Sequence, residues 1–195
     1  MSLYINPRNS QNESHTKIFS RHVGSLDRRA QSIPGLQKTT MITTDFLHRD
    51  NYQHYGDWLK QQSPDMLSDC FGTPVDPDFI TQLVEDVVSL PGKHYFLVAS
   101  NGSQWVGVLH MTTQINAQVQ FRIIVDRHYQ GQGIAGRLMS EAVTWARNHK
   151  YKHLYLHCLS QNQPIQHLCK KHGLEIRCHD GVVDAKVDLE FAVVS

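Results

Sequence analysis

Residues 130–136, Gln-Gly-Gln-Gly-Ile-Ala-Gly, carry the most readable chemistry in this sequence. Ahead of them runs Ile123-Ile124-Val125, a short apolar stretch of the kind that forms a buried strand. Behind them Ala135, Leu138, Met139, Ala142 and Ala146 recur at helical spacing, which predicts a helix from Gly136 to Asn148. Gly131 and Gly133 permit close backbone approach and unusual φ/ψ. The first turn of the helix adds unpaired N–H groups and the positive end of its dipole. A strand, a glycine-rich turn and a helix N-terminus in this order can hold a diphosphate with main-chain atoms.

The spacing separates this turn from other phosphate loops. No GxxxxGK[ST] occurs, which excludes the nucleotide-triphosphate loop. Gly131 to Gly136 reads literally as GxGxxG, but Tyr151 to His153 supply no acidic residue about 20 positions on, where a dinucleotide fold wants one. The pattern [QR]-x-x-G-x-[GA] fits better, with Gln130, Gly133 and Ala135 as its fixed positions.

The elements that must position this loop read as follows. A strand end near Thr44 leads to a helix reaching Gln61, with Tyr52, Tyr55, Trp58 and Leu59 on one side, and Ser63-Pro64-Asp65 breaks it. Asp76-Pro77 is an N-cap with proline at the first helical position, so Phe79–Ser89 is helical. Strands at 94–100 and 105–113 flank the hairpin signal Asn101-Gly102. A third strand covers 117–125, and another covers 153–159 after the long helix. A two-turn helix, Gln163–Lys171, stops at Gly173, and a final hairpin pairs 174–178 with 182–191.

Preceded by an apolar strand and Tyr129, the Gln130–Ala135 pattern resembles the coenzyme A pyrophosphate loop of the GNAT superfamily of N-acetyltransferases. A second match lies downstream, where Asn162 to Leu174 resembles the GNAT segment N-x-x-A-x-x-L-Y-x-x-x-G-F. Asn162, Leu168 and Gly173 fit; Ile165, Cys169 and Leu174 replace its alanine, tyrosine and phenylalanine. The resemblance implies an α/β fold of the GNAT type, a mixed and mostly antiparallel sheet flanked by helices. A narrower likeness, through Leu159-Ser160-Gln161-Asn162 and Asp180-Gly181-Val182, is to the acetyltransferase domain of bacterial protein lysine acetyltransferases. That branch often carries a glutamate where this chain has Gln120.

Composition bounds the rest. The 195 residues suit one domain, 41–195, preceded by an N-terminal extension, 1–40, flexible or docked on a partner. The extension holds six basic side chains against Glu13 and Asp27, leaving 13 basic and 16 acidic for the domain. A net charge of +1 argues against a dedicated nucleic-acid binder. No apolar run approaches the length of a membrane span, and no secretory signal opens the chain. Four irregularly spaced cysteines without a CxxC point to reduced thiols in a cytoplasmic protein. His153 and His157 share a strand face, but no HExxH or Cys/His quartet exists, so no metal is expected.

The resemblance assigns roles to residues. Acetyl-CoA would be the cosubstrate and a primary amine the acceptor, with direct transfer between them and a homodimer as one open assembly. Backbone groups of Ile123, Ile124 and Val125 would pair with the pantetheine arm. Gln130, Gly131, Gln132, Gly133, Ile134, Ala135 and Gly136 would cradle the diphosphate, with Arg127, His128 and Arg137 as nearby cations. Asn162 would bond the pantetheine amide. Cys169 shares a helical face with Asn162, Ile165 and His172, so it would point at the departing sulfur as its proton donor. Gln120 stands at the usual base position and cannot titrate; His172, His110, Glu85 and Asp86 are the remaining expectations for moving a proton. The competing expectation is an acyl-CoA-binding sensor or scaffold that no longer catalyses.

Overall fold

The structure is a computed structural model that describes residues 41–90 and 92–190. The expected extension 1–40 and the hairpin's end beyond Glu190 lie outside the described residues. Along the chain come β1 (Ile42–Phe46), α1 (Gln53–Leu59), α2 (Pro64–Phe71), α3 (Pro77–Ser89), β2 (His94–Asn101), β3 (Gln104–Gln114), β4 (Gln118–Val125), α4 (Ile134–Asn148), β5 (His153–Leu159), α5 (Gln163–Lys171), β6 (Glu175–His179) and β7 (Val182–Asp188). They form an α/β fold, a single mixed sheet flanked by helices, as the resemblance implies. No described helix is long and apolar enough to cross a membrane.

One segment departs from the sequence expectation. Ser63-Pro64-Asp65 does not merely end a helix; it starts α2. Ser63 Oγ accepts a hydrogen bond from the Met66 N–H at 3.4 Å, and Pro64 occupies the first turn, where its missing N–H costs nothing. Asp76 does the same for α3, accepting from the Phe79 N–H at 2.7 Å. Gly72, in the left-handed region at φ 72°, closes α2.

The sheet has seven strands in the order β1-β2-β3-β4-β5-β7-β6. All neighbours run antiparallel except β4 and β5, which are parallel. Alternation along β4 divides the core in two. Val119 and Phe121 join a cluster with Leu138, Met139, Ala142 and Trp145 of α4, and Cys169 of α5. Ile124 joins a cluster with Tyr55, Trp58 and Leu59 of α1, Leu67 of α2, and Ile80 and Val87 of α3. Gly107 of β3 allows α4 to sit close to the sheet. A β-carbon there would lie 3.2 Å from Ile134 Cγ2 and 3.4 Å from Leu138 Cδ1.

Candidate active site

β4 and β5 pair over only three positions, Gln118 with His153, Val119 with Leu154 and Gln120 with Tyr155. β4 then continues to Val125 and β5 to Leu159 with no pairing between them. The strands part and leave a groove of about 640 Å³. Its floor is Arg122–Val125 on one side and Leu156–Cys158 on the other. α2 walls it with Met66, Asp69 and Cys70, and α5 contributes Ile165 and Leu168. A volume in this range suits a small-molecule ligand.

The glycine-rich loop lies at one end of this groove. Gly131 (φ 75°) and Gly133 (φ 80°) both adopt the left-handed region that favours glycine. A β-carbon at either would meet no protein atom within 4 Å, so backbone conformation rather than crowding demands glycine there. Gly133 is the N-cap of α4, and no side chain caps that helix. The first-turn N–H groups therefore face the groove end without a side-chain acceptor, which favours an anion. Side chains hold the loop in shape. Gln130 Nε2 donates to the Val125 carbonyl at 3.1 Å, and Gln132 Nε2 to the His128 carbonyl at 3.3 Å. Asp126 Oδ1 accepts from the His128 N–H at 2.8 Å. Ile123, Ile124, Val125, Gln130, Gly131, Gly133, Ile134, Ala135, Gly136 and Asn162 all border the groove, as does Arg127.

Gln132 and Arg137 are not among the groove-lining residues. Arg137 turns instead to β1, donating from Nη1 to the Ile42 carbonyl at 2.7 Å and pairing with Glu141 at 3.3 Å. Asn162 borders the groove with its amide engaged by protein. It caps α5 by accepting from the Ile165 N–H at 3.3 Å, and Nδ2 donates to the Asp69 carbonyl at 3.3 Å, latching α5 to α2.

The residues expected to move protons sit elsewhere. Cys169 is fully buried in the cluster beneath α4, and burial pushes its thiol up to about 12. Helical spacing groups it with Asn162, Ile165 and His172; Asn162 and Ile165 do border the groove, but Cys169 meets the core instead of pointing into it. His172 packs its ring against Gly136, with Nε2 buried and unpaired, and burial lowers its pKa. Gln120 occupies the last paired position before the strands part and does not line the groove. His110 is buried beneath α1, stacked on Phe96 at 4.3 Å and 3.0 Å from His94 Nδ1. Glu85 and Asp86 lie exposed on α3, away from the groove.

Three further side chains border the groove, and spacing alone gives two of them, Cys70 and His157, no part in the transfer. Arg122 borders the groove and places its guanidinium 5.5 Å from the centre of the Phe71 ring, a cation–π contact. Cys70 lies beside it; burial raises its thiol to about 12, while Arg122 and the Ile123 N–H pull the other way. His157 lines the opposite side, and its Nδ1 is hydrogen-bonded to Asp184 of β7. The cross-strand pairing of 157 with 184 was the available signal, but it needs the β5–β7 register, which spacing alone does not give. Among the described residues, no group of three or more His, Cys, Asp or Glu side chains is placed to hold a metal.

The acetyltransferase (GNAT) family model matches residues 52–174. Among proteins of curated function, none matches this chain. Several solved structures share its fold. The GNAT domain of S. lividans PAT superposes with a TM-score of 0.65 at 17% identity, covering 74% of this chain and 89% of its own. A spermidine N-acetyltransferase from Vibrio cholerae, solved with CoA and spermine, gives 0.61 at 18% identity, covering 76% and 95%. A putative acetyltransferase from Salmonella typhimurium, solved with its cofactor acetyl-CoA, gives 0.59 at 15%, covering 80% and 98%. The family model spans well over half of the sequence and takes in the parting strands, the glycine-rich loop and Asn162; the chain belongs to the GNAT family of acetyltransferases.

Proposed function

We propose that this protein is an acetyl-CoA-dependent N-acetyltransferase that transfers the acetyl group directly to a primary amine. The observation that carries the reading is the opening between β4 and β5, which leads from a helix N-terminus lacking a side-chain cap to a partly apolar groove. The first-turn N–H groups of α4 would hold the diphosphate, with Arg127 as a nearby cation. The unpaired edge of β4 would hold the pantetheine arm as if it were a short strand. The Val125 carbonyl is already taken by Gln130, so the arm would pair with the groups before it. The thioester supplies an activated acyl carbon. The chain orients it, keeps its surroundings dry and removes the proton from the incoming amine.

The acceptor would enter between α2 and the outer part of β5, where Asp65, Asp69 and Arg122 border the groove. A protein lysine is one acceptor consistent with the narrower likeness in Leu159–Asn162. Cytoplasmic location and a homodimer complete the proposal. The burial of Cys169 and the non-titrating Gln120 favour a second reading, an acyl-CoA sensor without turnover.

Calorimetry with acetyl-CoA, followed by thiol release with a panel of alkylamines and lysine peptides, separates the two. Transfer to any amine supports the enzyme; binding without release supports the sensor. Gly133→Val tests the holding mechanism, because its φ of 80° opposes a β-branched side chain. Acetyl-CoA affinity should fall at least about tenfold, while the strain should cost the fold about 1–2 kcal/mol. Unaltered affinity would move the diphosphate elsewhere.

A further inference from the structure

β5 carries two histidine–aspartate pairs of the same chemistry on one face. His153 Nδ1 lies 2.7 Å from Asp188 Oδ1, and His157 Nδ1 is hydrogen-bonded to Asp184 Oδ1. Their surroundings differ. His153 stands where β4 still pairs, opposite Gln118, and does not border the groove. His157 stands beyond the last paired position, on the stretch where β5 has left β4, and borders the groove across from Arg122.

We propose that His157 is the general base that takes the proton from the acceptor amine, with Asp184 as its positioning residue. This rests on the acetyl-transfer reading above. An ionised carboxylate can only accept, so Asp184 fixes the proton on Nδ1 and leaves the Nε2 lone pair to receive another. Neither the buried Cys169 nor Gln120 offers such a lone pair at the groove. The proton balance closes. As the amine nitrogen bonds to the acyl carbon, its N–H proton passes to Nε2. The C–S bond breaks, the sulfur leaves as thiolate, and the imidazolium returns the proton to it. Asp184 stabilises the imidazolium formed between those events.

Charged and titratable groups of several elements surround His157. Asp184 of β7 touches it, and His179 of β6 reaches the same carboxylate at 3.5 Å. Tyr155 of β5 meets its ring edge-on at 5.4 Å. Arg122 of β4, Asp65 and Asp69 of α2, Arg127 ahead of the glycine-rich loop, and His167 and Lys171 of α5 border the same groove.

The test uses the full chain, thiol release from acetyl-CoA with an alkylamine and a lysine peptide, and calorimetry with acetyl-CoA. His157→Gln should lose about 100-fold or more in kcat/KM and the acidic limb of its pH profile. Its acetyl-CoA affinity should stay within about twofold of the unaltered chain. Added imidazole should restore part of the rate of His157→Ala. Asp184→Asn should lower kcat while leaving acetyl-CoA affinity unchanged. His153→Gln, the matched pair outside the groove, should behave as the unaltered chain. A His157→Gln variant with full rate, or with its acidic limb intact, overturns the assignment. So does a chain that binds acetyl-CoA yet releases thiol to no amine, while leaving coenzyme binding standing. Absence of heat with acetyl-CoA overturns this proposal and the reading beneath it together.

Discussion

Beneath α4 the buried side chains that meet the sheet are all apolar: Leu138, Met139 and Ala142 against Leu97, Leu109, Val119 and Phe121. Beneath α1 and α3 the sheet buries a polar pair as well. His94 and His110 lie 3.0 Å apart, with Thr112 Oγ1 at 3.4 Å from His110 Nε2, enclosed by Tyr55 and Phe96. The outer nitrogens of both rings, His94 Nε2 and His110 Nδ1, have no partner among the described residues. The contact between α4 and the sheet is therefore built for packing alone. The contact beneath α1 and α3 spends part of its interior on a pair of groups that change charge with pH, and its stability should depend on conditions in a way the apolar contact does not.

Leu138→Ala should break the comparison on its apolar side most severely. Leu138 is fully buried, and truncation should cost about 2–5 kcal/mol by urea unfolding, with the pH dependence of stability unchanged. A cost near zero would mean that α4 contributes little to the core.

Acid sharpens the polar side. Burial lowers the pKa of both His94 and His110, while the unfolded chain takes up protons at the ordinary value of 6.5. Below pH 6.5 the unfolded state therefore binds more protons than the folded one. Stability should be full above pH 6.5 and decline as pH falls from there toward the lowered folded values. For His94, Lys93 and Arg122 push in the same direction as burial and Asp86 opposes it. Replacing both rings, His94→Leu with His110→Leu, removes each partner's need for the other and should flatten this decline in urea titrations between pH 7 and 5, values chosen to bracket the ordinary histidine range. An unchanged slope would place the acid sensitivity elsewhere.

The helix caps give the smallest effect. Asp76→Ala and Ser63→Ala should each cost about 0.5–2 kcal/mol. Asp76 should cost more, because its bond is 2.7 Å against 3.4 Å for Ser63. Equal values would mean that the longer bond contributes as much as the shorter.

Those two caps also show where sequence reading succeeded and where it stopped. Asp76-Pro77-Asp78 and Ser63-Pro64-Asp65 carry the same start signal, a side-chain acceptor followed by proline. The first reads as a beginning because apolar spacing follows it through Phe79, Ile80, Leu83 and Val87. The second reads as an end because the Tyr52–Leu59 pattern precedes it and α2 is too short to show a period. Strand and helix bounds from His94 onward follow the expectation closely, since glycines and alternating side chains mark them locally. The site divides the same way. Gly131 and Gly133 are legible because a backbone at positive φ writes itself into residue type. The neighbours of Cys169 and His157 are not, because one depends on how α5 rolls against the sheet and the other on the register of β5 with β7.

The parted strands have a further consequence for the chain before any ligand arrives. Beyond Gln120 the outward amides of β4 have no neighbour in β5 to share their protons with, although the strand's other edge is fully zipped to β3. Amide deuteration should thus run unevenly along this one strand: slow at Val119, in the closed stretch, and fast at those amides between Phe121 and Val125 that point into the opening. A molecule lying there would complete the missing ladder, and the label would then report occupancy residue by residue.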